Sequence, residues 1–128
     1  MPADDIGFLR NVPIFAELED KDLLKIVHLG TRQKYKKGNI VVLEQESGAA
    51  LFVIMSGKVK VVRMDEDGRE VILSMFGPGE FFGEMSLLDG MARSASVVAT
   101  IKSELFMIHR RDFLELLHEY PSVAISLL

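Results

Sequence analysis

The chain has 128 residues, 48% apolar and 27% charged, with a formal net charge of −4 and no cysteine. That length fits one domain with a core of its own. Lack of cysteine excludes disulfides, thiolate catalysis, sulfur-ligated zinc and iron–sulfur clusters, and the negative charge is the wrong sign for a free-standing nucleic-acid binder.

Residues 1–30 read as a helical segment. Ile6, Phe8 and Leu9 suggest a short amphipathic turn, and Val12-Pro13-Ile14-Phe15 is a breaker with apolar neighbours. Asp20 is the expected N-cap of a helix carrying Leu23, Leu24, Ile26 and Val27, with Gly30 as its stop. The start Met1-Pro2-Ala3-Asp4-Asp5 lacks the basic and apolar parts of a signal peptide. No apolar run approaches the ~20 residues of a membrane helix, so a cytoplasmic location without membrane contact is expected.

From Thr31 to His109 the pattern changes to period two. Strands are predicted over 40–43, 51–55, 58–63, 70–75, 94–99 and 104–108. Gly38, Gly48, Gly57, Asp67-Gly68 and Gly77-Pro78-Gly79 punctuate them, and the Asp67-Gly68 pair predicts a hairpin. Short strands at this spacing point to a roll or barrel over 31–109. A helix is predicted over 110–120, with Phe113, Leu114, Leu116 and Leu117 on one side against the roll. Pro121 breaks it and can start another. The apolar run to Leu128 reads as part of a longer helix.

The stretch 81–97 interrupts the strands with a short helical turn predicted over Glu84–Leu88, opened by Gly83. Free N–H groups at a helix start suit an anion, and a residue without Cβ lets a ligand come close. Arg93 lies nine residues beyond Glu84 and is followed by Ser94. A guanidinium, a hydroxyl and helix-start amides are the usual parts of a small phosphate site. A carboxylate there fits a ligand that also carries hydroxyls. A cyclic nucleotide meets both needs, with its phosphodiester for Arg93, its 2′-hydroxyl for Glu84, and apolar strands as a wall for the base. As a mere surface ion pair, Glu84 and Arg93 would contribute about 0–1 kcal/mol, and that reading leaves the glycine and the helix start unexplained.

The run Phe82-Gly83-Glu84-Met85-Ser86-Leu87-Leu88, with Arg93-Ser94-Ala95-Ser96-Val97, resembles the phosphate-binding cassette of cyclic-nucleotide-binding domains. Catabolite-activator/FNR (CRP/FNR) transcription regulators and regulatory subunits of cyclic-AMP-dependent kinase share it. The resemblance runs from about Phe8 to Leu128 and takes in Gly57-Lys58-Val59, Asp67-Gly68-Arg69-Glu70, Ile72-Leu73-Ser74 and Gly79-Glu80-Phe81. It implies one domain over 1–128, mainly β. The expected fold is a double-stranded β-helix (a jelly-roll-like β-roll) between N-terminal helices (1–30) and C-terminal helices (110–128). It further implies that Gly83 and Glu84 contact ribose while Arg93 and Ser94 hold the cyclic phosphate with amides near Ala95. Met85 and Ser86 complete the cassette, and Val61, Leu73 and Ser74 form the wall near the base. The implied role is a non-enzymatic allosteric sensor of a cyclic nucleotide, cyclic AMP first and cyclic GMP second. Such a sensor dimerises through its C-terminal helix and acts on DNA only through a helix-turn-helix domain absent from these residues. The rival reading is a structural or protein-interaction roll with a vestigial pocket.

His28, His109 and His118 have no metal-ligand spacing, so no metal is expected. Ser86, Ser94 and Ser96 have no histidine near in sequence, and no catalytic set is recommended. Lys34, Lys36 and Lys37 beside Tyr35 read as a solvated strand end.

Overall fold

Some strands of this chain alternate apolar and polar residues, whereas Leu51–Met55 and Leu105–Ile108 are apolar throughout. The first kind covers one face and the second must be covered on both. The computed structural model, which describes residues 2–42, 50–83 and 95–126, resolves this with three layers.

Helix α1 (Pro2–Arg10), a 3₁₀ turn (Pro13–Phe15) and helix α2 (Asp20–Leu29) lead into the strands. These are β1 (Thr31–Tyr35), β2 (Ile40–Val42), β3 (Ala50–Ser56), β4 (Val59–Met64), β5 (Glu70–Phe76), β6 (Phe81–Phe82), β7 (Ser96–Ala99) and β8 (Ser103–His109). Helices α3 (Arg110–Glu119) and α4 (Pro121–Ser126) follow. The strands form two antiparallel sheets ordered β1-β8-β3-β6 and β2-β7-β4-β5. The fold is the expected β-roll flanked by helices. Among the described residues no helix is long and apolar enough to cross a membrane.

The first sheet is the middle layer. Leu51, Val53, Phe106 and Ile108 face the helices and pack with Leu9, Phe15, Leu23, Ile26, Phe113 and Leu116. Phe52, Ile54 and Leu105 face the second sheet and pack with Val42, Val59, Phe82 and Val97. Burial of a large apolar side chain contributes about 1.5–3 kcal/mol, so these two clusters carry most of the fold's stability.

Arg32 on β1 ties the helical layer to the sheet, donating to Asp5 on α1 and to Glu104 on β8. Asp5 is almost buried, and a buried carboxylate needs such a partner.

Several expectations are corrected. Asp20 is the first helical residue and Glu19, in extended backbone, is the N-cap; the Asp20 carboxylate pairs with Arg10 and, among the described residues, caps nothing. Gly30 does stop α2, in extended backbone. Leu114 is 36% exposed and does not share the stripe of Phe113 and Leu116, since adjacent helical residues point about 100° apart. The hairpin at Asp67-Gly68 forms as a wider loop, closed by Asp65 N–H to Arg69 O, with the Asp65 carboxylate accepting from the Asp67 and Arg69 amides. Strand β1, too polar to be singled out by its pattern, is held by pairing with β8. The predicted turn Glu84–Leu88, the strand end at Leu43 and the start at Ser94 lie outside the described residues.

Candidate functional site

The wall residues predicted from the sequence come together on β4 and β5. Val61 lies between two partners, Ser74 on β5 and Val97 on β7. Directly opposed residues share a face, so Val61, Ser74 and Val97 line the side of the second sheet that looks toward the first. On the next pair inward, Val59 stands between Phe76 and Ala99.

The register of β4 against β5 shifts between Val61 and Val62, which pair with Ser74 and Ile72. Leu73 is therefore the extra residue of a β-bulge. Bulges re-aim side chains and are over-represented beside functional sites. Leu73 is about half exposed here, as are its neighbours on this edge strand.

A row of phenylalanines closes the inner end of the wall. Phe82 stacks on Phe52 at 5.1 Å between ring centroids and on Phe76 at 6.1 Å. These rings belong to β6, β3 and β5, so the row joins the edge of one sheet to the edge of the other. No motif in the sequence marks this row. The only signal was three phenylalanines at positions that strand parity can place inward.

Gly83 follows Phe82 at once and has φ +98°, a region side-chain-bearing residues avoid. The chain thus leaves the first sheet at Gly83 and rejoins the second at Ala95, which is buried just before β7. Ala95 and Val97 lie two apart on the approach to Val61. Of the predicted ligand residues, the structure makes Val61 and Ser74 direct partners with Leu73 as the bulge residue beside Ser74, and places Gly83 just after β6 and Ala95 just before β7. Glu84, Met85, Ser86, Arg93 and Ser94 lie outside the described residues.

The described part of the site offers an apolar wall with a single hydroxyl and no titratable side chain among Val61, Ser74, Phe76, Phe82 and Val97. Such a surface suits a flat, weakly polar group. Lys60 is the nearest charge along β4 and has its own partner, Glu70, at 2.5 Å. Tyr35, which packs against the inner cluster from β1, has its phenol pKa raised by burial. Among the described residues no group of three histidines, aspartates or glutamates could hold a metal.

Residues 32–120 match the family described as "Cyclic nucleotide-binding domain". The chain is 38% identical over 119 residues to the cyclic AMP receptor protein of Thermus thermophilus, covering 93% of this chain and 55% of that protein. It is 34% identical over 120 residues to the cGMP-dependent protein kinase egl-4 of Caenorhabditis briggsae, covering 92% of this chain and 16% of that one. The crystal structure of the Thermus thermophilus catabolite activator protein superposes with a TM-score of 0.82 at 39% identity, over 90% of this chain and 54% of that one. The chain therefore spans about half the length, or less, of these relatives.

Proposed function

We propose a function on the premise that the chain belongs to the cyclic nucleotide-binding domain family. It is a non-enzymatic sensor domain, residues 1–128, whose ligand is cyclic AMP. Arg93 and Ser94 take the cyclic phosphate, with the amides about Ala95. Gly83 and Glu84 take the ribose, and Met85 and Ser86 complete the segment. Val61, Leu73 and Ser74 face the base. The choice of cyclic AMP over cyclic GMP follows the relative named for cyclic AMP, which matches at higher identity than the kinase named for cyclic GMP.

The observation that carries the reading is the placement of the wall. Val61 pairs directly with Ser74 and Val97 beside the bulge at Leu73, while Gly83 directly follows β6 and Ala95 directly precedes β7. Transmission to an output module uses strand β3. Its inner face holds Phe52 against Phe82, and its outer face holds Leu51 and Val53 in the cluster with Phe113 and Leu116 of α3. Ligand that repositions the Phe82–Gly83 junction shifts the equilibrium of α3 and α4 through a sheet packed on both sides. In the whole cytoplasmic regulator the output is a helix-turn-helix pair on a homodimer, reading two half-sites.

Thermal denaturation with each nucleotide tests the ligand. At 100 times its dissociation constant, cyclic AMP stabilises the fold by about 2.7 kcal/mol, and cyclic GMP at the same concentration by less. No shift with either nucleotide sinks the sensor reading and leaves the protein-interaction roll. An equal shift with both sinks the choice of base.

A further inference from the structure

The chain is acidic overall, yet three turns at one end of the roll carry no carboxylate. These are 36–39 between β1 and β2, 57–58 between β3 and β4, and 100–102 between β7 and β8. They hold Lys36, Lys37, Lys58 and Lys102.

Backbone hydrogen bonds fasten the three turns into one platform. Gly38 N–H donates to Ala99 O at 2.8 Å and Ala99 N–H to Asn39 O at 2.9 Å, joining the first turn to the end of β7, from which the third turn starts. Thr100 N–H donates to Lys58 O at 2.9 Å, joining the third to the second. The Ser103 hydroxyl accepts from Lys58 N–H at 3.1 Å, and the Asn39 side chain accepts from Lys36 N–H at 2.7 Å.

The lysines themselves are exposed, and among the described residues none of the four is in an ion pair. Carboxylates on adjoining segments are engaged elsewhere, Glu104 by Arg32 and Glu80 by the Gly77 amide. Lysine on an edge strand can serve merely to block strand addition, and Lys34 on β1 has that place. The four platform lysines stand on turns, where there is no edge to protect. Beside them Ile40 and Ile101 are each more than half exposed.

We infer that this platform is a docking surface for an acidic polypeptide segment that also presents an apolar side chain. Fixed turns hold the backbone that carries the lysines in place before the partner arrives, so binding orders side chains and not the loops. Four cations with no ion-pair partner among the described residues complement glutamate or aspartate, and the exposed isoleucines suit an apolar side chain. Duplex DNA fits less well, because the platform turns have no arginine fork and exposed isoleucines lie beside them. This surface is separate from the nucleotide wall, and its role stands whether or not that wall binds cyclic AMP.

The test is fluorescence anisotropy of the whole chain with a short labelled peptide alternating glutamate and leucine. Duplex DNA and phosphatidylserine vesicles serve as comparison probes. The peptide is expected to bind, to weaken with rising salt, and to lose about tenfold or more in affinity in the triple variant K36E/K37E/K102E. Ile101→Ser should weaken the peptide severalfold at constant charge, and Lys21→Glu on α2 should leave it unchanged. Far-UV circular dichroism and the melting temperature of each variant should match the parent. No peptide binding at low salt, or equal binding by the triple variant, overturns the proposal. So does lysine-dependent binding of DNA or vesicles that exceeds that of the peptide.

Discussion

Tyr120, the residue that ends α3, donates a 2.8 Å hydrogen bond to Asp22 on α2, 98 positions away in the chain. Lys25, one turn on from Asp22, bonds Glu119 at 3.0 Å and lies 5.9 Å from the centre of the Tyr120 ring. These contacts fasten the N-terminal helices to the junction where Pro121 begins α4. Tyr120→Phe removes the hydroxyl and leaves the ring. The expected loss is about 1 kcal/mol in urea denaturation with an unchanged m-value.

Two groups at this junction, with Tyr35 on β1, give the chain an alkaline limit. Burial raises the Tyr35 phenol, burial and the Asp22 bond raise that of Tyr120, and the Glu119 bond raises the Lys25 ammonium. In each case the folded protein holds its proton to higher pH than the unfolded chain. Stability from these groups is therefore complete below about pH 10 and is lost as pH rises through their folded-state values. Melting temperature should stay level in this respect up to about pH 10 and fall beyond it, less steeply in the Tyr35→Phe/Tyr120→Phe double variant. An identical fall in parent and double variant would contradict the assignment.

Phe82 joins the core to the site, since it stacks on Phe52 and Phe76 and directly precedes Gly83. Phe82→Ala should cost about 3–5 kcal/mol by denaturation. At temperatures where the variant remains folded, cyclic AMP should bind it more weakly than the parent by calorimetry. Undiminished affinity would show that the aromatic row does not set the geometry of the site.

Gly57 has φ +92°, and a Cβ built there would come within 2.1 Å of the Ser103 hydroxyl oxygen, a buried side chain fixed by bonds to Lys58 and Ile101. Gly57→Ala combines a left-handed backbone penalty with overpacking, for an expected loss of about 2–5 kcal/mol. A loss below about 1 kcal/mol would mean that the turn relaxes freely.

The parts of this fold that were legible in sequence are those determined by local pattern. Leu51–Met55 and Leu105–Ile108 announce themselves as strands by unbroken apolar runs, and Glu70–Met75 by its neighbours' turn residues. Thr31–Tyr35 does not, because its strand character comes from Met107 to Ser103 across the sheet. The bulge at Leu73 is invisible for the same reason, since it exists only in the register of β5 against Val61 and Val62. At the site, Val61 and Ser74 are reached through the family resemblance, and the structure makes them direct partners. Phe52, Phe76 and Phe82 meet only after three strands from two sheets assemble, so nothing in any one segment marks them. The charges of the cassette are the opposite case: Glu84, Arg93 and Ser94 are read from chemistry and motif alone.

Calorimetric titration of cyclic AMP into the parent chain and into Arg93→Lys tests the phosphate site most directly. The parent should bind at one site, and the variant, which keeps the charge and loses the planar fork, should bind about tenfold to a hundredfold more weakly with an unchanged melting temperature in the absence of ligand. No heat from the parent, or equal affinity in the two proteins, would contradict a cyclic-nucleotide site built on Arg93.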